Sequence, residues 1–273
     1  MPDHANPVRT PAEPPNSALR FDRTLRLYGK DAMDRLGKAH VAVFGLGGVG
    51  SFAVEGLARS GVGRLTLVDY DQVCVTNVNR QLHALDSTLG ELKADAMASR
   101  ARLINPAIKI QAHVELYGET TSQSLLAADV DYVIDAIDNV TGKLHLLKRC
   151  LELRIPVVSS MGAGGRVDPT QVRVNDLSET HTDQFAKDVR KYLRKHHGIP
   201  SSAPTGILAV WSAEKPRAPM PVDFDEAEHL KVCPHPRKPP LDRHRQINGT
   251  AAFVTSVFGM VAASVAVNHL VSR

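Results

Sequence analysis

Val43-Phe44-Gly45-Leu46-Gly47-Gly48-Val49-Gly50-Ser51 decides the fold of this chain. The apolar run His40-Val41-Ala42-Val43-Phe44 reads as a buried strand, the GxGxxG that follows as a tight turn, and residues 49–59 as a helix. Glycines allow such a turn, and they let backbone N–H groups approach a phosphate at the helix N-terminus, where the dipole favours negative charge. An acid at the end of the next strand would hold a ribose. Asp69 stands there, in Leu67-Val68-Asp69-Tyr70-Asp71, nineteen residues after Gly50. A turn and an acid of this kind serve NAD and adenine nucleotides alike.

The same alternation continues on either side. Leu65-Thr66-Leu67-Val68, Tyr132-Val133-Ile134 and Pro156-Val157-Val158 read as strands. Residues 91–104, stopped by Asn105-Pro106, and 141–154, stopped by Pro156, read as helices. This is the α/β pattern of a parallel sheet wound with helices. The second half is less regular: a glycine-rich loop at 162–169, a strand at 171–174, a basic helix at 183–196 and a proline-rich excursion at 215–240.

With 273 residues, 43% of them apolar and 23% charged, disorder is excluded as the main state. A chain of this length can bury a core without a disulfide or metal staple. Residues 1–19, rich in Pro and Asn and without an apolar run, read as a disordered tail and not as a signal or an anchor, which leaves 20–273 as a single domain. Residues 249–271 carry no charge, but their Ala, Ser, Thr and Gly suit a helix packed in the core or in a dimer interface better than a membrane span. Three cysteines, Cys74, Cys150 and Cys233, show no CxxC spacing, offer neither a disulfide framework nor a four-thiolate zinc site, and fit a cytoplasmic protein. The net charge of +4 permits a polyanionic partner without requiring one.

The residues beyond the second strand narrow the nucleotide. Thr76-Asn77-Val78-Asn79-Arg80-Gln81 brings a guanidinium and amides, and Gly90-Glu91-Leu92-Lys93 brings an ammonium to the start of a helix. A nicotinamide needs no such cluster. A triphosphate does, because attack on its α-phosphorus requires its charge to be neutralised and held in line. Asp138-Asn139, after the strand near 131–134, supplies a carboxylate that could carry Mg²⁺. An NAD oxidoreductase would lack a proton relay here, and a non-catalytic nucleotide-binding scaffold would not need Arg80, Lys93 and Asp138 together.

This order of GxGGxG, Asp69, Asn77 to Arg80, Lys93 and Asp138-Asn139 resembles the ubiquitin-activating-enzyme-like adenylyltransferases over about residues 20–169. The resemblance implies a doubly wound, mostly parallel Rossmann-like sheet, with an irregular basic C-terminal half, in a dimer that uses ATP and Mg²⁺ to activate a carboxylate as an acyl adenylate. Carried over, Gly45, Gly47, Gly48, Gly50, Asn79 and Asn139 would line the nucleotide and Asp69 would bind the ribose hydroxyls. Asn77, Arg80 and Lys93 would hold the phosphates, and Asp138 the Mg²⁺. Arg80, Lys93 and Asp138 are then catalytic, together with an arginine that reaches into the partner's site; Arg23 takes that place, with Arg26 as the neighbouring register.

Relatives that activate sulfur carriers usually hold zinc on two CxxC pairs, which this chain lacks; relatives that pass substrate to a thiol would need Cys233. A closer resemblance is to the tRNA threonylcarbamoyladenosine dehydratases, through Arg20-Phe21 and Leu27-Tyr28-Gly29, through 71–77 and Arg80-Gln81-Leu82-His83-Ala84-Leu85, and most specifically through 162–171. Some members carry a cysteine where Ala209 precedes Val210-Trp211-Ser212. The resemblance implies adenylation of the threonyl carboxylate of the modified adenosine beside the anticodon, then ring closure by a nitrogen of the same side chain with loss of AMP. An intramolecular nucleophile needs no cysteine. The substrate would be tRNA carrying threonylcarbamoyladenosine, bound by a C-terminal tRNA-facing extension; a homodimer and a sulfur-relay protein are the further partners, a membrane is not expected, and activation of a ubiquitin-like sulfur carrier is the alternative. Charge agrees with RNA: 181–200 carries five Lys or Arg against two Asp, 231–245 five against one, and the rest of the chain is net negative.

Overall fold

The computed structural model describes residues 17–200, 203–221 and 248–273. Most of the expected tail, most of the proline-rich excursion, Cys233 and the basic segment 231–245 lie outside these.

Three short helices, α1 (Ser17–Arg20), α2 (Asp22–Tyr28) and α3 (Lys30–Lys38), precede β1 (His40–Phe44). The alternation then runs α4 (Gly50–Arg59), β2 (Arg64–Val68), α5 (Lys93–Ile104), β3 (Lys109–His113), α6 (Ser122–Leu125), β4 (Tyr132–Asp135), α7 (Val140–Leu153) and β5 (Val157–Ser160). After β6 (Val172–Asp176) come α8 (Gln184–His197), β7 (Leu208–Ser212) and α9 (Ala252–Val271). One seven-stranded sheet results, in the order β3-β2-β1-β4-β5-β7-β6. Every pairing is parallel except that of β6 with β7.

The inner strands β1, β2, β4 and β5 are buried almost throughout because both faces are covered. Val41 and Val43 of β1 join Leu65, Leu67, Tyr132 and Ile134 in a core closed by α4, α5 and α9. Ala42 and Phe44 point the other way, with Val133 and Val157, into a core closed by α7 and α8. The sheet is therefore doubly wound. The second half proves more regular than its composition suggests, since β6 and β7 extend the same sheet.

By length and hydropathy α9 could cross a membrane, yet half of it is buried within this chain. It lies so close to α4 that a Cβ on Gly259 would stand 2.3 Å from the Val49 carbonyl oxygen, and one on Gly56 would stand 2.8 Å from the Ala263 Cβ. Small residues thus bring two backbones together, as the composition of 249–271 suggested. Of the thiols, Cys150 is free and buried, whereas Cys74 is disulfide-bonded, which corrects the expectation that the three cysteines offer no disulfide.

Candidate active site

After β1 the chain turns to one side of the sheet, toward β2 and β3, and it returns on the other through β4. Ligands of such sheets bind in the crevice above the carboxyl ends of the strands at this switch. The glycine turn occupies it. Gly45 has φ +84° and its N–H donates to the Val68 carbonyl at 2.9 Å. A Cβ on Gly45 would meet the Ala136 carbonyl at 2.6 Å, and one on Gly50 the Gly45 carbonyl at 1.8 Å, so no larger residue fits either position. Gly48 is wedged between the Arg80 backbone and Thr255 of α9, each 3.2 Å from a built Cβ. Gly47 faces open space, with only the Gln81 amide at 3.8 Å.

Asp69 immediately follows β2 and is buried. One carboxylate oxygen accepts from the Leu46 N–H at 2.6 Å and the other from the Asp71 N–H at 2.8 Å, tying the glycine turn to the second strand. Burial raises its pKa, while Lys93 and these two N–H groups oppose that rise. Lys93 opens α5, buried, its Nζ donating to Asp71 at 3.0 Å.

Arg80 donates to the Thr76 carbonyl at 2.8 Å and to Asn79 Oδ1 at 3.0 Å. Burial lowers its pKa and the negative charge of Asp138 partly restores it, so these two residues face each other electrostatically across the switch. Asn79 donates to the Thr250 carbonyl at 3.1 Å, fastening this loop to the entry of α9. Two of the expected ligands have structural employment. Asn77 Oδ1 accepts from the Cys74 N–H at 3.0 Å, and Asn139 caps α7, accepting from the Gly142 N–H at 2.9 Å.

Arg23 is not gathered with the others. Its side chain is 93% exposed, 3.8 Å from Asp22. The neighbouring Phe21 packs near Gly61, past the end of α4, and Arg20 donates to the Ile104 carbonyl at the end of α5 at 2.8 Å. Both helices start at the glycine-turn end of the sheet, so α2 sits at the opposite end of the molecule.

Sequence reasoning missed a fully buried cluster beneath the β4–α7 turn. Lys143 Nζ donates to Asp135 Oδ2 at 2.5 Å, to Ser159 at 3.1 Å and to the Ser160 carbonyl at 3.0 Å. Ser159 also donates to Asp135 at 2.6 Å, and the Ile137 N–H donates to the other Asp135 oxygen at 3.0 Å. A buried charge pair survives only when its remaining hydrogen bonds are made, as here. The cluster fixes the backbone that presents Asp138. A second buried pair, Arg166 with Asp183 at 3.0 Å, pins the glycine-rich loop to the start of α8. Asp71, which receives Lys93, carries no signal of that role in the sequence.

The model of the ThiF family matches residues 21–273. The chain belongs to the ThiF family. This ThiF-family chain is similar to the tRNA threonylcarbamoyladenosine dehydratase of Bacillus subtilis, 44% identical over 89% of this chain and 91% of that one. It also resembles the crystal structures of Escherichia coli tRNA N6-threonylcarbamoyladenosine dehydratase in complex with ATP and with AMP, with TM-score 0.81, 37% identity and coverage of 93% of this chain and 95% of that one. The Escherichia coli molybdopterin-synthase adenylyltransferase is 36% identical over 55% of the ThiF-family chain and 60% of its own length, a narrower match.

Proposed function

We propose that this chain is an ATP-dependent tRNA threonylcarbamoyladenosine dehydratase. The observation that carries the reading is the convergence of the glycine turn, Asp69, Lys93, Arg80 and Asp138 on one switch point, in a chain that is similar over nearly its whole length to dehydratases of that name.

In this reading the turn's N–H groups cradle phosphate at the start of α4, and Asp69 takes the ribose with the lone pairs its two backbone partners leave. Arg80 and Lys93 stabilise the charge that develops when a substrate carboxylate oxygen bonds to the α-phosphorus and pyrophosphate leaves. A nitrogen of the same substrate side chain then bonds to the acyl carbon, its proton goes to solvent, and AMP leaves; the nucleoside has lost one water. Asp138 is an exposed carboxylate, a single hard oxygen ligand through which a cation that keeps most of its waters would be held. Mg²⁺ held there would neutralise charge on the departing pyrophosphate.

Arg23 cannot reach its own chain's turn from the far end of the sheet, so we assign it to the site of a second copy in a homodimer. Incubation with Mg-ATP and bulk tRNA, followed by mass spectrometry of nucleosides, should show loss of one water from threonylcarbamoyladenosine together with AMP and pyrophosphate. Formation of ADP, or adenylation of a carrier protein's C-terminus in preference to tRNA, would overturn the reading.

A further inference from the structure

Beside the triphosphate site a cleft of about 810 Å³ opens between the β3–α6 loop, the first turns of α7 and the second half of α8. Its inner end, at Asn139, Thr141 and Gly142, adjoins Asp138; its outer end is formed by Tyr192, His196 and His197. Five of the lining residues carry rings. Tyr117 and His145 have centroids 5.8 Å apart, with the Tyr117 hydroxyl 3.3 Å from His145 Nδ1. Tyr192 and His196 stack at 5.9 Å with 26° between their planes, and Lys191 Nζ lies 5.6 Å from the centre of the Tyr192 ring. Core packing accounts for Tyr117, buried edge-on against Phe44 at 4.9 Å. Tyr192 packs part of its ring against the same core and stays half-buried, while its stacking partner His196 is exposed and lies outside that core.

We infer that the Tyr192–His196 stack receives an unpaired nucleobase of the substrate RNA, one flanking the nucleoside whose carboxylate is activated; this rests on the function proposed above. The inner end of the cleft is left to the purine of ATP, whose phosphates lie at the adjoining turn. Single-stranded RNA is held by stacking splayed bases on aromatic and imidazole faces while Lys and Arg take the phosphates. One element supplies both here, because the turns of α8 that carry the two rings also carry Lys191, Arg194 and Lys195, all exposed. A protein carrier's extended tail would need a free strand edge or side-chain pockets instead.

The test uses the full chain and an anticodon stem–loop RNA bearing threonylcarbamoyladenosine, with RNA affinity and the KM for ATP measured for Tyr192→Ala, Tyr192→Phe and His196→Ala. Tyr192→Ala should weaken RNA binding roughly tenfold and leave the KM for ATP unchanged, whereas Tyr192→Phe, which keeps the ring and its packing, should bind as the parent does. An abasic nucleotide at one loop position should reproduce that loss in the parent protein, and Tyr192→Ala should lose nothing further on that RNA. Unchanged RNA affinity in both alanine variants, with the parent still cyclising its substrate, overturns the stack alone. A rise in the KM for ATP without loss of RNA affinity assigns the whole cleft to the nucleotide and overturns it too. Failure of the parent to cyclise the RNA at all would instead strike the proposed function.

Discussion

Asp138 and Asn139 are neighbours in sequence with different employment: the asparagine caps a helix, while the aspartate stands exposed and faces Arg80. Asp138→Ala should therefore abolish ATP turnover while the thermal unfolding midpoint stays near that of the parent; an active variant would remove Asp138 from the site. Arg80→Ala and Lys93→Ala should each cost roughly 10²–10³ in rate if they stabilise developing charge. A loss of tenfold or less in both, measured by pyrophosphate release, would make them structural cations. His83 gives a pH prediction. Burial, and then Lys93 and Arg100, hold its imidazole down at about 4, against 6.5 for an unperturbed histidine. Below pH 6.5 the unfolded chain takes up a proton that the folded chain refuses, so stability present above 6.5 is lost as pH falls toward 4. His83→Gln should flatten this limb of a plot of urea midpoint against pH, and an identical limb in the variant would count against it.

Among the elements, those legible in the sequence announce themselves by local chemistry. β1, its glycine turn and α4 could be read because close packing leaves no alternative to glycine at 45 and 50. β3 and β7 could not. β3 lies at the sheet's edge with half-exposed residues, so no apolar run marks it, and the apolar Leu208–Ser212 is too short a run to separate strand from helix by its pattern. The Asp135–Lys143 pair was invisible for another reason: its members are eight residues apart, and only the fold brings the lysine back under the strand that carries the acid. Charge counting along α8 likewise could not separate working cations from structural ones. Arg190 donates to the carbonyls of Leu177, at 3.2 Å, and Thr180, at 2.8 Å, and to the Thr180 hydroxyl, so it braces a turn. Lys187, Lys191, Arg194 and Lys195 are exposed. Changing these four to Gln should weaken tRNA binding and flatten its log–log salt dependence by about 0.7–0.9 per lost phosphate contact, with the KM for ATP unmoved. Arg190→Gln should lower stability instead. A quadruple variant with the parent's salt slope would take α8 out of the RNA interface.

For the molecule as a whole, the proposed assignment of Arg23 to a partner's site would make that site a property of two chains. Arg23→Ala and Asp138→Ala should each be inactive alone, yet equal mixing after partial denaturation and refolding should restore about a quarter of parental activity. Random pairing makes about half of the dimers mixed, and each two-fold mixed dimer holds one intact site and one doubly impaired site. No recovery on mixing, with dimers present by sedimentation, would show that Arg23 serves no partner.

Gly259 against Val49 and Thr255 against Gly48 place α9 directly behind the glycine turn. A ribosome adding about 5–20 residues per second makes those partners roughly ten to forty seconds after the turn itself. Through that interval the nascent nucleotide loop lacks its backing, so the chain acquires its grip on ATP late in synthesis, after every strand of the sheet has been made.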